Sequence, residues 1–252
     1  FRCENTYTYD GAIPTGTAEI QYIYDNSTNS ITIIGGTDNG QKSIVIPETI
    51  CGRKVTTINA VAFSNNNFKN VTSFTLPQSL TAIGNGAFSG CSSLTSIVIP
   101  DSVTEIEATA FSNCTALESI TLSQNIKEIR NSTFSNCTAL KSIEMPLKLK
   151  SIENSAFQGC SALTNVTLPE SVTSIGERAF QDCSALKSIN IPKSVTIIEY
   201  CLFYNCSALT DITLPDGVTS IGSYAFNGCS ALESINIPDS VTEIQDEAFG
   251  SC

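Results

Sequence analysis

The chain has 252 residues, of which 24 are Asp or Glu, 13 are Lys or Arg, 11 are Cys and none is His. The net charge of −11 disfavours binding to nucleic acid, since contact with phosphates requires a basic surface. Without histidine there is no Ser-His-Asp or Cys-His nucleophile and no histidine-containing metal site. No window approaches the roughly 20 apolar residues of a transmembrane helix. We therefore expect a folded domain with no transmembrane segment, no cofactor and no metal.

Residues 1–43 do not share the pattern of the rest of the chain. Two apolar alternating runs, at 17–24 and 30–36, flank the polar segment DNSTN at 25–29. Short apolar runs around a polar turn are typical of a β-hairpin. A stack of repeated units also needs its first unit covered, because an open sheet edge invites aggregation. We predict that residues 1–43 form a β-hairpin cap on a repetitive domain spanning 44–252.

The repetitive domain has a period of 23 residues. A Phe recurs at this spacing, at Phe88, Phe111, Phe134, Phe157, Phe180, Phe203, Phe226 and Phe249. A Cys follows each Phe after three residues, at Cys91, Cys114, Cys137, Cys160, Cys183, Cys206, Cys229 and Cys252. An earlier unit has Phe63 but carries Asn66 at the Cys position, so the array comprises about nine units.

The unit at 94–116 indicates how each repeat folds. The segment LTSIVIP at 94–100 alternates like a strand with one buried face and ends at a proline. The segment at 103–106 predicts a second short extended stretch, and EATAF at 107–111 a tight helical or 3₁₀ turn. One unit cannot bury its inward residues alone, so stacked units must cover one another in a solenoid of short parallel strands. The constant period predicts one continuous, in-register sheet with strands centred on Ile97, Ile120, Ile143, Val166, Ile189, Ile212 and Ile235.

The repeated cysteines could form disulfides, bind a metal or pack as apolar side chains. Side chains in a column keep the strand spacing of ~4.8 Å between Cβ atoms, beyond the ~3.5–4.5 Å of a disulfide. Zinc needs four converging ligands, whereas this column is linear. We predict buried, reduced thiols with a raised pKa, and a cost of about 1–3 kcal/mol for Cys-to-Ser exchange through a hydroxyl without a partner. Outside the column, Cys3 and Cys51 could form a disulfide, and Cys201 is expected to be unpaired.

The pattern LxxIxIPxxVxxIxxxAFxxC over about 44–252 resembles the 23-residue leucine-rich repeat of the BspA-like family, the Treponema type. The resemblance implies an α/β-type leucine-rich repeat solenoid. It also implies secreted or cell-surface proteins that bind host or matrix proteins or other cells, and it carries no catalytic motif. We therefore expect a non-enzymatic, extracellular or cell-surface protein that recognises a protein partner. Because the sequence stops inside a repeat, we expect the natural protein to continue past Cys252 and this fragment to be a monomer.

The outward strand positions are the expected binding face of such a solenoid. They carry mostly small, polar side chains: Ser96, Val98, Ser119, Thr121, Ser142, Glu144, Asn165, Thr167, Ser188, Asn190, Asp211 and Thr213. Two further patches could mark binding spots, with a solvated surface as the simple alternative for both. The basic patch contains Lys127, Arg130 and Lys150, and the aromatic patch contains Tyr200, Tyr204 and Tyr224.

Two other functions remain open at this point. A passive stalk that positions another domain is one alternative, because the first outward strand position is a serine in most units and varies little. A polysaccharide-active enzyme is a remote alternative. Glycosidase carboxyl groups lie about 5–9.5 Å apart, whereas Glu144 and Asp211 are three units apart. Glu105 and Glu128, in adjacent units, have a suitable spacing but stand in a surface of alternating charge.

Overall fold

The computed structural model describes residues 6–8, 18–64 and 68–252. Its strands in chain order are β1 Thr6–Thr8, β2 Glu19–Asp25, β3 Ser30–Thr37, β4 Ser43–Val45, β5 Thr49–Ile50, β6 Arg53–Ile58, β7 Ser73–Thr75, β8 Ala82–Ile83, β9 Ser96–Val98, β10 Glu105–Ile106, β11 Ser119–Thr121, β12 Glu128–Ile129, β13 Ser151–Ile152, β14 Asn165–Val166, β15 Ser174–Ile175, β16 Ser188–Ile189, β17 Ile197–Ile198, β18 Ser220–Ile221 and β19 Glu243–Ile244. These residues include no helix, so the segments predicted as helical or 3₁₀ turns are consecutive turns instead.

The N-terminal hairpin is confirmed, because β2 and β3 pair antiparallel. The Asp25 carboxylate closes its turn by accepting hydrogen bonds from the Ser27 hydroxyl at 2.7 Å and the Thr28 hydroxyl at 2.8 Å. These bonds lower the pKa of Asp25 to about 2. Strand β3 then pairs in parallel with β6, so the hairpin covers the edge of the coil stack. Residues 1–5 and 9–17 of the predicted cap lie outside the described part, and its boundary at residue 43 stays a prediction.

Each coil can contribute a strand to two sides of the solenoid, which we call the first face and the second face. On the first face β4, β7, β9 and β11 form a parallel sheet, with Ser96 opposite Ser119 and Ile97 opposite Ile120. On the second face three parallel runs follow one another: β6, β8 and β10; then β12, β13 and β15; then β17, β18 and β19. Paired residues from β8 onward are one period apart, which confirms the predicted register.

The prediction of one continuous sheet on the first face is wrong. Strand β14 pairs with β16, an isolated bridge joins Ser188 to Asp211, and no described strand is centred on Ile143, Ile212 or Ile235. The first-face strands have only two or three residues, so each step of the ladder rests on very few main-chain hydrogen bonds and is lost with one of them. The Phe stack of the core is not interrupted there, since neighbouring rings have centroids 5.2–5.9 Å apart from Phe88 onward.

The third side, which we call the turn face, contains the Phe segments and holds another row of inter-coil hydrogen bonds. Thr109 N donates to Asn131 O and Phe111 N to Thr133 O, each at 2.9 Å. The residues two before and two after the Phe are left-handed, with φ of 58° at Thr109 and 60° at Asn113. From the coil of Phe88 onward, two left-handed residues per coil prevent a regular helix from continuing. This explains why turns replace the predicted helical segment.

The core runs the length of the stack. Rings from Phe88 to Phe249 stack nearly parallel, with interplanar angles of 2° to 19°. Each coil is buried by the next one. Ile221 is 0% exposed, whereas Ile244, its equivalent in the last coil of the chain, is 51% exposed. The solenoid is therefore stabilised mainly by contacts between nearest neighbours.

Candidate functional site

The outward positions of the first face are presented to solvent. Inward residues such as Ile97 and Ile120 are 3% and 6% exposed, because successive strand residues point to opposite faces. All twelve predicted binding residues are exposed: Ser96, Val98, Ser119, Thr121, Ser142, Glu144, Asn165, Thr167, Ser188, Asn190, Asp211 and Thr213. Their part in binding remains a prediction.

Half of these residues surround one open groove of about 760 Å³. They are Asn165, Thr167, Ser188, Asn190, Asp211 and Thr213. The inward side chains of neighbouring strands supply an apolar floor, which includes Val166, Ile189 and Ile212. An adjoining hollow of about 430 Å³ is lined by Ser142 and Glu144 and shares Asn165 and Thr167 with the groove. We call this continuous depression the first-face groove.

The remaining four residues lie on the flat part of the first face. Ser96 and Val98 belong to β9, and Ser119 and Thr121 belong to β11. These strands are fully paired, so their outward side chains stand on a regular sheet. The first face therefore divides into a flat sheet and a grooved part.

Inside the groove, one asparagine side chain takes the place of a main-chain hydrogen-bond partner. On the flat part, Ile99 N donates to the main-chain oxygen of Thr121 at 2.9 Å. In the groove, the equivalent Leu168 N donates to the side-chain Oδ1 of Asn190 at 2.7 Å. Asn190 Nδ2 donates in return to Leu168 O at 2.8 Å. The Asn190 amide thus replaces a main-chain partner, a role that the sequence pattern does not reveal.

The groove is electronegative. Four exposed carboxylates line it, from Glu144, Glu170, Asp211 and Asp216, against the single ammonium of Lys193. Within the described part of the chain, none of the five forms an ion pair. Uncompensated charge of one sign in a groove attracts a ligand of the opposite sign. The groove can therefore bind a basic surface over an apolar floor.

On the second face, Arg130 binds three carboxylates. Its guanidinium donates to Glu105 and to Glu107 at 2.7 Å each, and its Nε lies 3.8 Å from Glu128. This ion cluster neutralises the arginine of the predicted basic patch. It also engages Glu105 and Glu128, the pair whose spacing suits a glycosidase. These side chains therefore form a structural ion network.

The lysines of the basic patch stay accessible. Lys127 and Lys150 are exposed on adjacent coils, joined by a hydrogen bond from Lys150 N to Lys127 O at 2.7 Å. Lys148 Nζ donates to Asn125 Oδ1 at 2.9 Å. Lys127 and Lys148 line a shallow hollow of about 600 Å³ together with the arginine cluster. Two of the three predicted basic residues therefore remain free to meet solvent.

The three predicted tyrosines lie together on the turn face. Tyr224 makes edge contacts with Tyr200, at a centroid distance of 6.1 Å, and with Tyr204, at 6.5 Å. The Arg178 guanidinium lies 4.6 Å from the centroid of Tyr200. The nearby Cys201 is unpaired, as predicted, and its thiol is buried. The structure thus brings the aromatic patch together as one cluster.

The column cysteines are buried free thiols from Cys91 to Cys229, as predicted. Each thiol donates to the carbonyl of the Phe in the preceding coil, as Cys160 does to Phe134 at 3.1 Å. Burial raises the pKa of Cys160 to about 12, because desolvation disfavours the thiolate. The same carbonyl is the nearest acceptor for a serine hydroxyl at this position, and the cost of Cys-to-Ser exchange stays a prediction. The Phe carbonyl of the preceding coil is present as an acceptor from Cys91 to Cys252, which is why a hydrogen-bond donor suits the Cys position of the repeat.

Cysteine pairing differs in the cap. Cys51 is disulfide-bonded, and Tyr22 Oη lies 3.9 Å from its sulfur. Cys3 lies outside the described residues, so a Cys3–Cys51 bridge remains a prediction.

Among the residues that the structure describes, no helix has the length and apolar character needed to cross a bilayer. The same residues include no group of three or more potential ligands among Cys, Asp and Glu arranged around a metal position.

Stacked coils of constant period, with an exposed grooved face, define the chain as a repeat solenoid. The family model for the BspA type leucine rich repeat region matches residues 56–185 and 127–252, with six copies. The chain therefore belongs to the BspA-type leucine-rich repeat family. The family resemblance expected from the repeat pattern is confirmed.

Solved structures agree with this assignment. A leucine rich repeat protein of T. pallidum is 29% identical, with a TM-score of 0.59 over 85% of this chain and 88% of that chain. A leucine rich cell surface protein of Faecalibacterium prausnitzii A2-165 is 25% identical, with a TM-score of 0.55 over 98% of this chain and 86% of that chain. Comparison with curated protein sequences gives no match.

Proposed function

We propose that this chain is a non-enzymatic recognition module of a secreted or cell-surface protein, and that it binds a protein partner through the first-face groove. The observation that carries the proposal is the groove itself, an open depression of about 760 Å³ with an apolar floor and uncompensated carboxylates. The cell-surface description of the F. prausnitzii relative supports the location.

The rigidity of the groove floor would favour binding. The floor residues Val166 and Ile189 are each 4% exposed, so the surface is held by the same contacts that hold the core. A preorganised surface loses little conformational entropy on association, which favours affinity from many modest contacts. The partner best suited to the groove is a convex protein surface with lysine or arginine around an apolar centre, such as a host or matrix protein offers.

The arrangement supports binding better than catalysis. Small hydroxyl and amide side chains dominate the groove, and two of its four acidic residues, Glu144 and Asp211, belong to coils three units apart. The better-spaced Glu105 and Glu128 are held by Arg130. A polysaccharide-active enzyme therefore finds no support in the positions of these carboxylates.

A structural stalk is the second candidate, favoured by the flat part of the first face. There Ser96 and Ser119 lie side by side on fully paired parallel strands, and their outward side chains form a flat surface. A stalk requires only the stacked core. It therefore predicts that changes in the groove leave every activity of the protein intact.

Binding to intact epithelial cells and to immobilised matrix proteins tests the proposal. The substitution Asp216→Lys reverses one groove charge, and Glu48→Lys makes the same charge change at an exposed site outside the groove. We expect Asp216→Lys to weaken binding at least tenfold and Glu48→Lys to leave it within twofold, with thermal unfolding unchanged in both. Equal binding by all three proteins would refute the groove and favour the stalk.

A further inference from the structure

A second surface, on the turn face, departs from the repeat in a way that the stacked core does not require. All tyrosines in the array are Tyr200, Tyr204 and Tyr224. They occupy three different repeat positions, three and two residues before a Phe and one residue after it. Sister coils hold no aromatic residue at any of these positions. The tyrosines of the array are therefore concentrated on two adjacent coils.

The tyrosine rings already hold one cation. Arg178 lies over Tyr200, with its Cζ 4.6 Å from the ring centroid. Aromatic faces attract guanidinium and ammonium groups through the ring quadrupole. Among the described residues, no cation lies over Tyr204 or Tyr224, although both rings are partly exposed. Tyr204 and Tyr224 thus offer partly exposed aromatic surface that holds no cation in the described part of the chain.

The surroundings of the cluster are acidic. Glu247 and Asp246 lie close enough to Tyr224 to raise the pKa of its hydroxyl. Partial burial, with Glu177 nearby, raises the pKa of Glu199 in the adjacent coil. Among the described residues, these four carboxylates form a single ion pair, between Glu177 and Arg178 at 3.6 Å. Charge and ring chemistry therefore favour the same occupant, a cation.

We propose that Tyr200, Tyr204 and Tyr224, with Glu199 and Glu247, form a docking surface for a lysine or arginine side chain in a basic segment of a partner protein. The surface, which we call the tyrosine patch, lies on the turn face and is independent of the first-face groove. Tyrosine and arginine dominate the energetics of many protein interfaces, because they combine large apolar area with a polar end. A guanidinium stacked on Tyr204 or Tyr224 would repeat the geometry that Arg178 makes with Tyr200.

Titration with a tetra-arginine peptide in 50 mM salt, followed by the ring signals of ¹³C-labelled tyrosine, tests the patch. We expect Tyr200, Tyr204 and Tyr224 to shift and Tyr24 to stay in place. Tyr204→Leu and Tyr224→Leu should each weaken binding about two- to fivefold, the strength of an exposed cation–π contact. Tyr204→Phe keeps the ring and should retain affinity. Arg178→Gln frees the Tyr200 face and should strengthen binding.

Three results would overturn the proposal. The first is titration without shifts of these rings. The second is an equal loss of affinity for Glu48→Gln and Glu247→Gln, which would show binding to the net charge of −11 alone. The third is tighter binding of tetramethylammonium than of the peptide, which would assign the patch to a quaternary ammonium ligand. Thermal unfolding of each variant, with Tyr204→Phe as the folded reference, separates loss of binding from loss of structure.

Discussion

At the scale of single residues, the column cysteine does two things in each coil. It fills the space beside the Phe, and its thiol donates to a main-chain carbonyl of the preceding coil at 3.1–3.4 Å. A buried carbonyl without a donor costs about 1–3 kcal/mol, so the thiol links neighbouring coils as well as packing between them. Because burial also disfavours the reactive thiolate, such a column can persist in an oxidising environment.

Replacing Cys160 with Ala should reduce the loss of stability at alkaline pH. The pKa of this thiol is raised to about 12 in the folded chain and lies near ~8.5 when the chain is unfolded. Stability from a raised pKa is complete below the unfolded value and falls as pH rises toward the folded value. Between about pH 9 and 11 each such thiol removes about 1.4 kcal/mol per pH unit. Urea unfolding should show the free-energy gap between wild type and variant narrowing at that rate, and a constant gap would contradict it.

Asn190 is a second residue whose side chain replaces main-chain structure. Substitution by Ala removes both hydrogen bonds to Leu168 and should destabilise the chain by about 1–2 kcal/mol. Asn190→Asp keeps the acceptor but places a second oxygen against Leu168 O, so it should also destabilise. Thr213→Ala, on the next coil of the groove, is the matched control and should stay within about 0.5 kcal/mol. Urea unfolding measures the free energy of unfolding of all three variants. Equal losses for Asn190→Ala and Thr213→Ala would show that the Asn190 hydrogen bonds do not stabilise the chain.

At the scale of elements, the inward residues and the register were predictable, whereas the breaks in the first-face sheet and the turn geometry were not. Alternation in LTSIVIP identifies Ile97 and Ile99 as inward, because the period of a strand is two. The segment EATAF favours a helix by local propensity, but the inter-coil hydrogen bonds impose left-handed residues such as Thr109. The groove lies where the strand ladder of the first face is interrupted, and the two Asn190 hydrogen bonds require its side chain to reach an adjacent coil. Both are tertiary properties that no single repeat contains.

The left-handed position two residues before each Phe holds a valine in one coil and a glycine in the next, so each residue type can be placed in the other coil. Val61 adopts φ of 51° there and Gly86 adopts 60°. A left-handed conformation costs a residue with a side chain roughly 1–2 kcal/mol, whereas glycine adopts it freely. We expect Val61→Gly to stabilise the chain by about 0.5–1 kcal/mol and Gly86→Val to destabilise it by about 1–2 kcal/mol. Chemical denaturation checks both, and the opposite signs would contradict the assigned turn geometry.

At the scale of the whole molecule, the coil is the unit of both stability and surface. Nearest-neighbour burial holds the core, as the contrast between Ile221 and Ile244 shows. The same stacking aligns the outward columns, so the flat sheet, the groove and the tyrosine patch are local variations on one period. Function can therefore diversify coil by coil without a change of fold.

The central claim, that a 23-residue coil is the structural unit, is tested by two deletions that differ by one residue. Removing residues 142–164 joins Lys141 to Asn165 and preserves the repeat, whereas removing 142–163 shifts every later inward position by one. The measurement is the rate of labelling of native thiols. We predict that the first deletion keeps all remaining column thiols protected except the exposed Cys252, and that the second exposes those after the junction. Equal protection in both proteins would contradict the account.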